Sequence, residues 1–190
     1  MKIKTNFRRK YGFFLYAVLL TFVSPFAVAE DRLGLDNDIH SALAKLKETV
    51  PAAAALAPDV KGVLIFPNIV KAGFIIGALY GTGALVKPKQ GGGYYIDEYY
   101  SMAAASYGLQ VGIQSFGYAL VLMTDKAVEH VETSSGFELG VGPSLVVVDA
   151  GVAKTLSTKT ANADIYAFTF GQKGLMAGLG LQGTKVSKLD

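Results

Sequence analysis

The sequence predicts an α+β fold: a Gly-rich, mostly antiparallel β-sheet domain, barrel-like in its curvature, with an N-terminal helical segment and one or two short helices. Three observations predict it. Amphipathic periodicity of helical length runs over residues 33–50 and largely stops by Lys61. Beyond Lys61 the segments are short, rich in Val, Ile, Phe and Tyr, and punctuated by Gly. From Glu30 onward glycine makes up 21 of 161 residues, or 13%, against ~7% in average proteins.

The first thirty residues are a separate matter. Residues 1–10 carry Lys2, Lys4, Arg8, Arg9 and Lys10 and no acid; residues 11–23 are almost wholly apolar; Pro25 breaks the run and Ala27-Val28-Ala29 follows. A basic start, a short apolar core and an A-x-A site form the pattern of a secretory signal peptide, with cleavage expected after Ala29. The apolar run is shorter than the roughly 20 residues a spanning helix needs. An exported, periplasmic protein is therefore expected, soluble or peripherally membrane-associated, with residues 30–190 as a single domain. The whole chain of 190 residues has a formal charge of +3, but residues 30–190 hold 13 Lys+Arg against 15 Asp+Glu, a net charge of −2. The basic excess sits in the targeting segment, so no net-positive field draws the domain onto nucleic acid or any anionic partner. Electrostatic binding has to come from local patches.

Along the domain, the helical part is expected at 35–57 and the β-rich part at 61–187. In the first helix Leu35, Ile39, Leu43, Leu46 and Val50 recur at steps of four and three and share one face. Asp36 or Asn37 can cap its start. Pro51 suits the first turn of a second short helix, PAAAALA, which Pro58-Asp59 ends. Candidate strands follow at 61–66, 72–78, 82–87, 93–97, 100–107, 109–114, 117–123, 137–141, 144–149, 164–171 and 174–186. Residues 88–93 (PKQGGG) look like a hairpin connection. Asp97-Glu98 reads as a turn between two Tyr-rich strands. Thr124 caps a short helix over KAVEHVE with Ala127, Val128 and Val131 inward, and residues 151–157 suit a brief helical turn. Gly108, Gly112, Gly117, Gly140, Gly142, Gly178 and Gly180 fall inside apparent strands, where glycine marks bulges, bends or close approach; strong sheet curvature explains them best.

Catalytic and metal patterns are missing. Without Cys there is no thiolate metal site, disulfide or cysteine nucleophile. His40 and His130 lie on predicted helices outside any metal-binding motif. Ser115, in GIQSFG, lacks the strand–turn–helix of a nucleophile elbow. Gly178, Gly180 and Gly183 form a GxGxxG, but only seven residues follow it and no βαβ unit is present. Adjacent carboxylates such as Asp97 and Glu98 point to opposite faces of a strand and cannot flank a glycosidic bond. No enzyme activity and no cofactor are expected. The local cations are Lys71, Lys87, Lys89 and Lys173, each able to hold an anionic headgroup as a point charge.

Four blocks then carry a resemblance: KGVLIFPNIVKAGFIIGALYGTGALV, YGLQVGIQSFGYALVLMTDKAV, FELGVGPSLVVVDAG and ADIYAFTFGQKGLMAGLGLQGTKV. In this order and spacing, from about Leu35 to Lys188, they resemble the SYLF lipid-binding domain family, with exported bacterial members nearest. The resemblance implies non-enzymatic binding of membrane lipids, through an N-terminal amphipathic helix and basic residues of the domain. Some fungal and animal members also bind actin, which an exported bacterial protein does not meet. Adapted to an envelope, the ligands become anionic phospholipids, with Lys71 and Lys173 inside matching blocks as the leading headgroup contacts. The plain Leu/Ile stripe of residues 35–50 is better explained by packing on the β domain than by insertion. The alternative is an envelope structural or protein-interaction module with no specific lipid ligand.

Overall fold

The computed structural model describes residues 32–148, 156, 157, 159–175 and 183–189, and for residues 106–110 and 175 the backbone alone. The segment expected to be a signal peptide, most of the helical turn expected at 151–157, and Gly178 and Gly180 lie outside the described residues.

The β-rich part is organised by two very long strands. β1 runs Gly62–Pro88 and β2 Tyr94–Leu122. They pair antiparallel from Gly62↔Leu122 to Pro88↔Tyr94, closed by a turn in which the Lys89 amide donates to the Gly93 carbonyl at 3.0 Å. Gly91, Gly92 and Gly93 all take positive φ there, so the GGG run is what allows so tight a connection. Seven candidate strands of the sequence reading are thus two. The gaps between them do not end the strands, because the pairing of β1 with β2 resumes beyond each one; register slips at Phe66/Ile69, Phe74/Ile76 and Leu85/Val86.

The ribbon folds over on itself around Ile75. Four residues of extended strand span ~13 Å, yet a Cβ on Gly73 would come within 2.7 Å of the Gly77 Cα. Further from the bend, Gly81 faces Ile69 and Asn68, and Gly83 faces Ile65. The two halves of β1 therefore lie face to face, and bare glycine backbones allow the contact.

The other strands complete the sheet. β5 (Ile165–Leu175) lies antiparallel on the second half of β2, and β6 (Lys185–Lys188) on its first half. β3 (Gly136–Glu138) pairs with β6, and β4 (Leu145–Val147) pairs parallel with β5. The order is β3-β6-β2-β5-β4, with β1 also on β2; among the described residues the ends do not join, so the sheet is a half-barrel. Candidate strands 137–141 and 144–149 shrink to these short pieces, since Gly140 and Gly142 take positive φ and interrupt them. Asp97 and Glu98 are inside β2 and not at a turn. Asp97 bonds the Lys87 amine at 3.0 Å and Glu98 pairs with Lys188, so each carboxylate is neutralised by a neighbouring strand and the ladder continues with one bulge.

Two cores result. Leu64, Phe66, Ile69, Leu79, Leu85, Tyr100, Phe116 and Tyr118 fill the space between the folded halves, closed by Val131 of α3 (Asp125–Thr133). Thr124 caps α3 as expected, its hydroxyl accepting from the Ala127 amide. The second core lies under α1 (Arg32–Thr49) and α2 (Pro51–Leu56), where Leu35, Ile39, Leu43 and Leu46 pack against Ile65, Val86, Val121, Tyr166 and Phe168. α1 begins before the expected caps, so Asp36 is interior to it and accepts from the Tyr99 hydroxyl at 2.7 Å.

Candidate functional site

Folding the ribbon creates a corner that nothing else in the described chain covers. At it Phe74 is 71% exposed, Ile76 66%, Ile113 65%, Val111 63% and Ile75 48%. Strand alternation cannot turn Phe74, Ile75 and Ile76 all to the core, since successive side chains point to opposite faces. The bulge between the Phe74↔Val111 and Ile76↔Tyr107 pairs takes up Ile75, whose φ is +67°. A β-branched residue in that region costs about 1–3 kcal/mol. An exposed apolar cluster held at such a cost points to recognition rather than folding.

The charge around the corner is one-sided. Residues 67–86, 102–123 and 165–184 contain Lys71 and Lys173 and no Asp or Glu. Lys71 pairs across the ladder with Gln114, and Lys173 with Ser115 from the opposite side of β2. Two strand spacings, ~10 Å, separate their backbones. Lys173 is exposed between Gly171 and Gly174, both at positive φ, whereas Lys71 is buried, at 6% exposure.

The remaining candidate lysines sit at the far end of the ribbon. Lys89 is exposed in the hairpin turn. Lys87 is held between Asp97 and Glu132. Burial opposes its charge, but the bonds to Glu132 and Asp97 outweigh this and hold the amine above its usual range. The fold therefore brings Lys71 and Lys173 together and separates them from Lys87 and Lys89. The apolar corner was not among the sequence candidates; the signal that points to it is the acid-free run GFIIG, whose three consecutive large apolar residues cannot all be core.

That same far end carries an open groove of about 390 Å³ between the helices and the sheet. Leu43, Leu46 and Ala53 line it from α1 and α2, and Val63, Val86 and Val121 from β1 and β2. α1 is anchored beside it by His40 Nδ1 and the Tyr94 hydroxyl at 2.6 Å, and by the Arg32 guanidinium 5.3 Å over the Tyr99 ring. The apolar stripe of α1 packs into the core, and Leu43 and Leu46 also border the groove. Among the described residues no three His, Asp or Glu side chains stand close enough to hold a metal, and no helix is long and apolar enough to cross a membrane.

The last three of the four sequence blocks fall within a matched family. Residues 103–190 match the Ysc84 family, described as Las17-binding protein actin regulator. The chain is similar to LAS seventeen-binding protein 3 of Saccharomyces cerevisiae, 27% identical over 154 residues, covering 78% of this chain and 33% of the relative. It is also similar to the human SH3 domain-containing YSC84-like protein 1, 29% identical over 126 residues, covering 65% of this chain and 36% of the relative. The chain thus spans about one third of the length of these relatives. The family and the yeast relative are both named for binding, and neither description names a reaction.

Proposed function

We propose that this chain is a non-enzymatic binder of anionic phospholipid bilayers, and that the corner at Ile75 is the part that meets the bilayer. The observation that carries this reading is the exposed cluster of Phe74, Ile75, Ile76, Val111 and Ile113 in an acid-free surround beside Lys173. Magnitudes decide which force leads. Burying a large apolar side chain contributes about 1.5–3 kcal/mol when complete, so partial burial of five exceeds the ~1 kcal/mol from each lysine near an anionic surface. Binding then has a large salt-resistant part and a smaller salt-sensitive part. The compartment belongs to the same proposal. The basic and apolar opening of the chain directs export, and the lipids of a bacterial envelope, phosphatidylglycerol and cardiolipin, are the ligands.

The test is flotation of residues 30–190 with vesicles of phosphatidylcholine alone and with 30–50% phosphatidylglycerol. Co-flotation that rises with phosphatidylglycerol and falls only in part at high salt is expected. Failure to float with either composition overturns the reading. A protein ligand is the second reading, favoured by the names of the relatives; binding to solubilised envelope protein with no vesicle binding would establish it instead.

A further inference from the structure

The groove under the helices is lined by none of the residues of the apolar corner. It exists because the sequence places small side chains where two helices diverge from the sheet. α1 and α2 meet at Val50-Pro51, and Ala44, Ala53 and Ala57 face the space that larger residues would fill. Opposite them stand Val63, Val86 and Val121. The volume of about 390 Å³ is at the low end of small-ligand pockets, ~300–1,000 Å³, which suits one hydrocarbon chain and is small for the two chains of a phospholipid.

The polar side chains that line it carry hydrogen-bond donors and, in the two lysines, positive charge. His40, Lys47, Lys87 and Tyr94 line it, and among the described residues no carboxylate does. Lys87 is already matched by Asp97 and Glu132. Lys47 and His40 are on the exposed side of α1, where a headgroup would stay in water while the chain enters. We infer that the groove binds a single-chain anionic amphiphile, its hydrocarbon among Leu43, Leu46, Val63 and Val121 and its headgroup beside Lys47. A long-chain fatty acid and a lysophospholipid share this chemistry.

The experiment is titration of delipidated residues 30–190 with a fluorescent fatty acid, cis-parinaric acid, followed by displacement with palmitate, with lysophosphatidylglycerol and with the uncharged hexadecanol. Saturable binding of one probe per chain is expected, with displacement by palmitate or lysophosphatidylglycerol at concentrations at least tenfold below hexadecanol. Which of the two displaces first identifies the source. Val63→Phe and Ala44→Phe, each filling the groove from a different side, are expected to abolish the saturable phase while leaving the unfolding temperature and vesicle flotation unchanged. Lys47→Glu is expected to weaken palmitate about tenfold and hexadecanol hardly at all. The inference is overturned if binding is absent or non-saturable, or if it survives both filling variants. It is overturned equally if Phe74→Ser removes it, because the probe would then report on the corner.

Discussion

Gly83 sets its bare α-carbon directly against the carbonyl group of Ile65 on the same strand. A side chain there would run into the Ile65 carbonyl and the Phe66 ring, and the backbone group, which is the nearer of the two, cannot swing aside. Gly83→Ala is therefore expected to cost about 3 kcal/mol or more, the upper range for overpacking, and to lower the urea midpoint correspondingly. Gly91→Ala serves as the comparison: its surroundings are open and only its positive φ is strained, so a smaller loss, about 1 kcal/mol, is expected.

At the apex of the bend, stability and binding should move in opposite directions. Ile75→Gly relieves a left-handed β-branched residue and is expected to raise unfolding stability by about 1 kcal/mol. The same change removes an exposed apolar side chain and should weaken vesicle binding about tenfold by the usual value of such burial. Denaturant unfolding and flotation on one preparation test both signs. Gains, or losses, in both would refute the assignment of Ile75 to the interface.

Two lysines from the same sequence reading should behave differently. Lys173→Met, at an exposed position, is expected to leave stability within ~0.5 kcal/mol and to reduce affinity for phosphatidylglycerol vesicles about fivefold, the ~1 kcal/mol of one cation at such a surface. Lys87→Met leaves Asp97 and Glu132 facing each other without their shared cation. A stability loss of about 1–2 kcal/mol is expected for these partly exposed groups, with vesicle binding unchanged. Thermal unfolding and flotation separate the two roles.

Asp164 ties the start of β5 to two other segments. Its carboxylate accepts from the Ser144 amide and hydroxyl and from the Thr124 hydroxyl, each at 2.9 Å. The bonds from the Ser144 amide, then from the two hydroxyls, hold its carboxyl at about 2, against an ordinary 3.8. As pH falls the unfolded chain takes the proton first, so this contribution is complete above about pH 4 and is lost between there and about pH 2. Asp164→Asn should cost about 1–3 kcal/mol at neutral pH, the range for hydrogen bonds to a charged group. The gap from the parent chain should narrow as pH falls through that window, which urea unfolding at pH 7, 4 and 2.5 would measure.

Much of the fold was legible in the residues. The stripe of Leu35, Ile39, Leu43 and Leu46 predicted both α1 and its packing on the sheet. Thr124 predicted the start of α3, and the GGG run predicted the hairpin turn, because caps and tight turns depend on a few adjacent residues. The long strands were harder to read. Pro67-Asn68 and Gly81 look like breaks in isolation, and only hydrogen bonding to the distant β2 carries the chain through them as one strand. Asp97-Glu98 was misread for the same reason: its cations, Lys87 and Lys188, come from other strands.

For the surface, sequence determined the inventory: the absence of thiol chemistry, the acid-free apolar segments, and a domain charge that is slightly negative once residues 1–29 are set apart. It did not determine placement. As a string, Lys71, Lys87, Lys89 and Lys173 were four local cations, with Lys71 and Lys173 set ahead only by the family resemblance. The doubling of the ribbon at Ile75 put Lys71 and Lys173 near one apolar corner and left Lys87 between two carboxylates at the other end. Local periodicity records which face of an element is apolar; which of those faces remains uncovered depends on the long-range pairings that bend the sheet, and these exist only in the folded chain.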